Sequence, residues 1–418
     1  MMATGSGKTK AAMYAISQID PWKLLLICVP SLELVEQWEA DVHLFYPDIT
    51  IIKCGSPYRG HKELLKSLIQ AHFPEQVVVI STYDSAQGDF YMAKWRQAKP
   101  EQFAMICDEV HNMGAPKSQC LMELNPAYRI GLSATPRRNF DEIGSEKILN
   151  FYHQNTFEFS IKDAQREHYL VEYQYRVLPC AMPEEDWESY KAYSKEIVQL
   201  QHALEQEDDE KDRLRLQQRI EGRYRDRAKL LKKNDQKVQT LQTIFDEIPP
   251  SARVLIYGDD LNHLDELGKE LDRMGKYYFK YTGELDAQKE RPTILKEFRQ
   301  GIRKILLAVG CLDEGIDIPA CDVAVFISSS TSERQFIQRR GRVLRIAPGK
   351  TTAWIYDYLV YPILPASTSD EERRMALSMI DAQYRRINLM VDDAINGIRE
   401  HQKLDQFLSQ RKLNPYDF

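Results

Sequence analysis

At 418 residues the chain is too long for one ordinary domain, and about two or three are expected. Hydrophobic residues at 43% can fill cores, and no apolar run in the sequence reaches the length of a membrane span. A net charge of −6 excludes a polycation that coats nucleic acid by bulk charge. The seven cysteines contain no C-x-x-C pair, which excludes the common zinc-site spacings. With no charged-then-apolar leader in view, a cytoplasmic, non-membrane protein is expected.

In chain order, the first feature is Ala3-Thr-Gly-Ser-Gly-Lys-Thr9, running into a helical pattern at Ala11, Ala12, Ala15, Ile16 and Ile19. Gly5 and Gly7 let the backbone N–H groups of Thr4, Gly5, Ser6, Gly7 and Lys8 turn inward around phosphate oxygens. Lys8 would reach the β- and γ-phosphates of ATP, and the Thr9 hydroxyl would take one position on Mg²⁺. The full pattern wants a glycine five residues before Gly7, where Met2 stands. A phosphate loop hangs from a strand, so that strand and the usual adenine pocket are expected upstream of this sequence.

Strands are predicted at Lys23–Val29, Val77–Ser81, Phe103–Cys107 and Arg129–Leu132. Ser31 is placed to cap a helix whose Leu34, Val35, Trp38, Val42 and Phe45 fall at helical spacing. Continuous apolar strands between amphipathic helices predict a parallel sheet covered on both faces, domain 1 over residues 1–160. The strand Phe103–Cys107 ends in Asp108-Glu109-Val110-His111, at the end where ligands bind such sheets. Asp108 suits Mg²⁺, directly or through water, and Glu109 suits the base that orients an attacking water. Ser133 and Thr135 follow the next strand and offer hydroxyls to His111, which reads as a relay toward a second domain.

Residues 161–248 are expected to be a linker and charged helical insertion, acidic at first and basic from Arg213 to Lys233. Its plain reading is a solvated helical hairpin; its sharper one is a nucleic-acid guide built on Arg213, Arg215, Arg219, Arg223, Arg227, Lys229 and Lys233. The strand and helix alternation returns over 249–362, with strands at Arg253–Tyr257, Lys276–Tyr281, Lys304–Ala308, Asp322–Ile327 and Thr352–Tyr358. Helices are predicted near 261–275, 286–299 and 332–345. Arg342 and Arg345 lie three apart on the last, hence on one face, where they can donate to a γ-phosphate presented by the other domain. A helical tail, 363–418, is expected to dock on the second domain.

The ordered series ATGSGKT, VPSLELVEQW, STYDSA, DEVH, LSATP, YTGE, EGIDIP and QRRGRVLR resembles superfamily 2 helicases and translocases of the DExH class. Within that class, GLSATPRR, EGIDIPACDVAV and RQFIQRRGRVLR are most similar to XPB-type excision-repair helicases and restriction-type DNA translocases. The resemblance implies an α/β chain of two RecA-like parallel-sheet domains in tandem, with a helical insertion between them and a helical C-terminal tail. It implies one ATP-Mg²⁺ site in the cleft between the domains, formed by Lys8, Thr9, Asp108, Glu109, Gln338, Arg342 and Arg345, with Gly315 and Asp317 sensing nucleotide. It also implies that Pro30, Ser31, Thr82, Thr282 and Gly283 grip a nucleic-acid backbone, DNA in preference to RNA. With no nuclease motif in view, a nuclease or repair protein is the expected partner. An RNA helicase and an ATPase-deficient nucleic-acid-binding subunit are the alternative readings.

Overall fold

The computed structural model describes residues 2–19, 22–70, 75–135, 141–285, 290–309, 321–328 and 333–415. The chain divides into two units, one running through Leu170 and the other starting at Val171. In the first, β1 (Leu24–Val29), β2 (Thr50–Cys54), β3 (Val77–Thr82), β4 (Phe103–Asp108) and β5 (Tyr128–Leu132) form one sheet in the order β2-β3-β1-β4-β5. Every pairing is parallel. Each residue of β1, β3 and β4 is buried, because helices cover both faces of the sheet. On one face lie α1 (Lys8–Ser17), through Ala12, Met13 and Ile16, and α2 (Leu32–Phe45), through Val35, Trp38 and Val42. On the other lie Tyr83, Tyr91 and Trp95, with Ile148 and Phe151 of α3 (Glu142–Phe151). Each fully buried aliphatic side chain of this kind is worth about 1.5–3 kcal/mol.

Parallel registry brings the carboxyl ends of these strands to one rim. Val29 pairs with Thr82, Cys28 with Cys107, and Asp108 with Leu132. Among the described residues β5 pairs with β4 alone. Gly131 on β5 is required by close packing, since a Cβ there would meet the Tyr152 ring at 2.9 Å and Val110 at 3.1 Å.

In the second unit, β6 (Glu172–Met182), β7 (Val254–Tyr257), β8 (Phe279–Tyr281), β9 (Ile305–Ala308), β10 (Val323–Val325) and β11 (Thr352–Pro362) form a parallel sheet, ordered β6-β11-β10-β7-β9-β8. β6 corrects the expectation of a linker over its residues: it is an eleven-residue strand paired along its whole length with β11. The expected hairpin is present as α4 (Glu184–Gln206) and α5 (Glu210–Lys232), with Asp209 capping α5 by accepting from the N–H groups of Lys211 and Asp212. Much of its basic stretch joins the two helices to each other. Arg223 pairs with Glu196 at 2.8 Å, Arg227 donates to Ser194 Oγ at 3.1 Å, and Arg213 donates to the carbonyls of Leu204 and Glu207. Beyond it come α6 (Glu333–Val343), α7 (Asp370–Val391) and α8 (Gly397–Ser409).

The tail docks on β6 and β11, as the sequence led us to expect. Asp357 of β11, 1% exposed, accepts hydrogen bonds from Tyr175 Oη at 2.8 Å and from Arg386 Nε and Nη2 at 3.1 and 3.2 Å. The outer edge of β6 is met by side chains and loop amides. Asn396 accepts from Tyr175 N–H and donates to its carbonyl, Glu400 accepts from Val177 N–H, and Ile395 N–H donates to Tyr173 O. Pro179, which lacks an N–H to donate, stands on this edge strand, where a proline is tolerated.

Lys237, in the short helix Asp235–Gln239, is buried and donates to the carbonyls of Leu231 at 2.5 Å and Ile327 at 2.9 Å. Burial, reinforced by the Arg386 charge, drives its ammonium down to about 7. Between that value and the ordinary lysine range of about 10.4, the unfolded chain holds a proton that the folded chain has lost, so this group makes stability rise with pH. Relative to Lys237→Met, the wild type is expected to gain about 2 kcal/mol between pH 7 and 9 in urea unfolding. Parallel pH profiles for the two proteins would remove this assignment.

No helix among the described residues is long and apolar enough to cross a membrane.

Candidate functional site

The loop before α1 is bent as the motif requires. Gly5 and Gly7 have φ of 86° and 90°, the left-handed region that glycine enters without steric cost. Ser6 folds the loop by donating through N–H and Oγ to Ala3 O, at 3.2 and 2.7 Å. No side chain caps α1, so its first N–H groups remain open to an anion. Lys8 Nζ and Thr4 Oγ1 are shut off from solvent with no hydrogen-bond partner among the described residues. A buried ammonium without a hydrogen-bond acceptor is costly unless a ligand completes it. Its nearest carboxylate is Glu109, with Oε1 at 3.9 Å.

Asp108 ends β4 and is 8% exposed. Its Oδ2 accepts from Trp38 Nε1 at 3.0 Å, its Oδ1 from Glu109 N–H at 2.9 Å, and its carbonyl from Tyr83 Oη at 2.8 Å. Glu109 has φ 46°, an uncommon value for a non-glycine residue, and is pinned there by Asn112 Nδ2 donating to its carbonyl at 3.0 Å. That bend turns its carboxylate toward Lys8 on one side and toward His111 Nδ1, at 3.5 Å, on the other.

These groups suit a nucleotide polyphosphate: a glycine cradle, an unsatisfied ammonium and an unsatisfied hydroxyl. No cluster of three or more His, Cys, Asp or Glu able to hold a metal lies among the described residues. A Mg²⁺ would therefore rest on the Thr9 hydroxyl, the Asp108 carboxylate, water and the phosphate oxygens themselves.

The remaining candidates fall as follows. Ser133 is buried, and its Oγ accepts the Thr135 N–H at 3.0 Å. His111 Nδ1 lies 3.5 Å from the Glu109 carboxylate, inside the acidic site. Pro30 and Ser31 follow β1 at the same rim. Ser31 occupies the N-cap position of α2 as expected, but its hydroxyl makes no cap bond and is buried without a partner among the described residues. Thr82 differs: its Oγ1 accepts from Ser85 N–H and caps the helix Tyr83–Ala86. In the second unit, Thr282 is buried just after β8, and Gly283 is exposed with its carbonyl accepting from Arg291. Gln338 and Arg342 are buried in α6. Arg345 lies past the end of that helix, which stops at Val343, and its N–H reaches back to Arg342 O at 3.5 Å. The expected helical pair is thus one residue on the helix and one in the turn that follows. Burial lowers the Arg345 guanidinium's proton affinity. Gly315 and Asp317 lie outside the described residues.

Beside the loop, the free edge of β5 faces a cavity of about 620 Å³ lined by Lys8, Ala12, Arg129, Gly131, Tyr152 and Phe157. At its rim, Met2 N–H donates to Ser133 O and Ala3 N–H to Phe159 O, so Met2 and Phe159 form a parallel bridge.

Two family models match the chain: "Type III restriction enzyme, res subunit" over residues 1–138, and "Helicase conserved C-terminal domain" over 236–347. The DNA 3'-5' translocase XPB2 of Sulfurisphaera tokodaii is 24% identical over 82% of this chain and 74% of its own length. The putative DNA 3'-5' helicase Rad25 of Haloarcula marismortui is 27% identical over 82% of this chain and 47% of its own, so the chain spans about half of that relative. The chain resembles the superfamily 2 helicases over both of these segments. Its fold also matches the solved structure of the ATP-dependent Type ISP restriction-modification enzyme LlaBIII bound to DNA, with TM-score 0.60 and 18% identity over 95% of this chain and 28% of that one.

Sequence reasoning placed Trp38 in the core and missed its indole N–H on Asp108. The signal available was a tryptophan, whose one polar atom needs a partner when buried, on the helix after β1. Trp38→Phe keeps an aromatic ring in the core and removes the donor. The half-saturating Mg²⁺ concentration for ATP hydrolysis is expected to rise about tenfold or more, in line with about 1.5–3 kcal/mol for a hydrogen bond to a charged group. An unchanged Mg²⁺ titration would take Trp38 out of the site.

Proposed function

We propose that this chain is an ATP-driven motor that translocates on DNA. The observation that carries the reading is the buried, unsatisfied Lys8 ammonium in a left-handed glycine loop, 3.9 Å from the Glu109 carboxylate. Lys8 holds the β- and γ-phosphates, Thr9 and Asp108 hold Mg²⁺, and Glu109 orients the attacking water. Bound Mg²⁺ would neutralise charge on the β- and γ-oxygens. Arg342 and Arg345 donate to the γ-phosphate as charge develops, with Gln338 beside them and Gly315 and Asp317 reporting which nucleotide is present. Pro30, Ser31, Thr82, Thr282 and Gly283 hold the nucleic-acid backbone through N–H groups and hydroxyls, a grip that needs no excess of cations and reads no bases. The capping role of Thr82 leaves its hydroxyl less available than that of Ser31. His111 links Glu109 to the rest of the coupling machinery. DNA is favoured as the track because the translocase and helicase relatives are named for it.

The test is steady-state ATP hydrolysis with no nucleic acid, with duplex DNA, with single-stranded DNA and with RNA, beside Lys8→Ala. Stimulation by one DNA form and loss of activity in Lys8→Ala are expected. Stimulation by RNA alone would make this an RNA motor. Equal rates for Lys8→Ala and wild type would leave a nucleic-acid-binding subunit without ATPase activity.

A further inference from the structure

α6 carries arginines on more than one face. At about 100° per residue, Gln338 and Arg342 lie within about 40° of each other, while Arg340 sits about 200° from Gln338. Arg340 is 5% exposed, and its Nη1 lies among three acceptors: Leu389 O at 2.8 Å, Asp393 Oδ2 at 3.0 Å and Tyr173 Oη at 3.2 Å. Tyr173 belongs to β6 and donates in turn to Met390 O. Leu389 and Met390 close the last turn of α7, and Asp393 follows it. The neighbouring Arg339 faces another way, donating to Ser328 O at 3.2 Å with its guanidinium 4.6 Å from the Tyr257 ring centroid. The back of α6 is therefore bolted to the tail by an ion pair between buried Arg340 and half-buried Asp393, on the side away from the residues assigned to the γ-phosphate.

We propose that the C-terminal tail positions the arginine helix for catalysis, with Asp393 as the positioning residue acting through Arg340. The inference rests on the assignment of Arg342 to the γ-phosphate. A guanidinium aimed at a developing charge must be placed to a fraction of an ångström, and a misplacement of about 1 Å can cost about a hundredfold in rate. Asp393 fixes the roll and depth of α6 because its carboxylate is the one anion among the three acceptors. Its loss leaves a buried cation that must move toward solvent, carrying the helix with it. The ion pair thus makes the tail, more than fifty residues along the chain from α6, part of the apparatus that sets turnover.

The experiment compares wild type, Asp393→Ala, Asp393→Glu and Arg342→Ala in full-length protein, with whichever nucleic acid stimulates the wild type most. Asp393→Ala is expected to lower kcat by about tenfold or more while KM for ATP stays within about twofold, because the contact matters only in the transition state. ADP affinity is expected to be kept while affinity for ADP with aluminium fluoride falls about tenfold, and Asp393→Glu is expected to restore most of kcat. If Asp393→Ala does not fold, the isosteric Asp393→Asn takes its place. Normal kcat in Asp393→Ala beside a dead Arg342→Ala would overturn this inference alone. Normal kcat in Arg342→Ala would instead remove the arginine assignment on which it stands. Equal loss of affinity for ADP and for the fluoride complex would mean a general structural role and would also overturn it.

Discussion

Glu109→Gln is expected to bind Mg-ATP as well as the wild type and to hydrolyse it about a thousandfold more slowly, since a positioned general base contributes about 10²–10⁴ in rate. The substitution keeps the shape of the side chain and its strained backbone, with φ at 46° and the Asn112 bond to its carbonyl in place. It removes the one anion within 4 Å of Lys8 among the described residues, which raises the local positive potential and should hold or tighten affinity for the phosphates. Binding is read by titrating a fluorescent nucleotide and turnover by phosphate release. A mutant turning over at the wild-type rate would end the assignment of Glu109. A mutant that fails to bind nucleotide would mean that the carboxylate shapes the loop itself.

The second large effect is on stability. Asp357→Ala is expected to cost about 3–5 kcal/mol, because it leaves the buried Arg386 guanidinium without its counter-charge. Among the described residues Arg386 would retain only its bond to Tyr358 O at 2.9 Å, and Tyr175 Oη would lose its Asp357 acceptor. Replacing both partners with apolar residues, Asp357→Leu with Arg386→Met, should return much of the loss, since no charge is then stranded. Because the chain has two units, the midpoint to follow is that of the second, reported by amide exchange on β6 and β11. An Asp357→Ala midpoint equal to that of the wild type would show that water reaches this pair and screens it.

Much of this was legible in the residues. β1, β3 and β4 read as unbroken apolar runs because both their faces are covered, and the acidic pair announced itself by closing one of them. The phosphate loop was legible because only glycine takes the two left-handed turns at 5 and 7. β2 escaped notice because it sits at the edge of its sheet, half-exposed, with Thr50 and Lys53 in a five-residue strand. β6 was concealed by Arg176 and Pro179, which an edge strand tolerates and a central one does not. The bond between Trp38 and Asp108 spans seventy residues, and that between Tyr173 and the end of α7 more than two hundred. Neither leaves a local pattern, so the tail was legible as a docked helix but not as the anchor of Arg340.

The way the tail covers β6 bears on how the protein behaves at high concentration. An eleven-residue strand with one side unpaired is a template onto which another chain can stack its own strand. Asn396 and Glu400 occupy that template with amide and carboxylate groups, and Asn234 takes the Ala181 carbonyl further along. A version cut after β11 would bare this ladder. Such a truncation should come out of solution as strand-linked fibres, so the residues after β11 act as a solubility device as well as a brace.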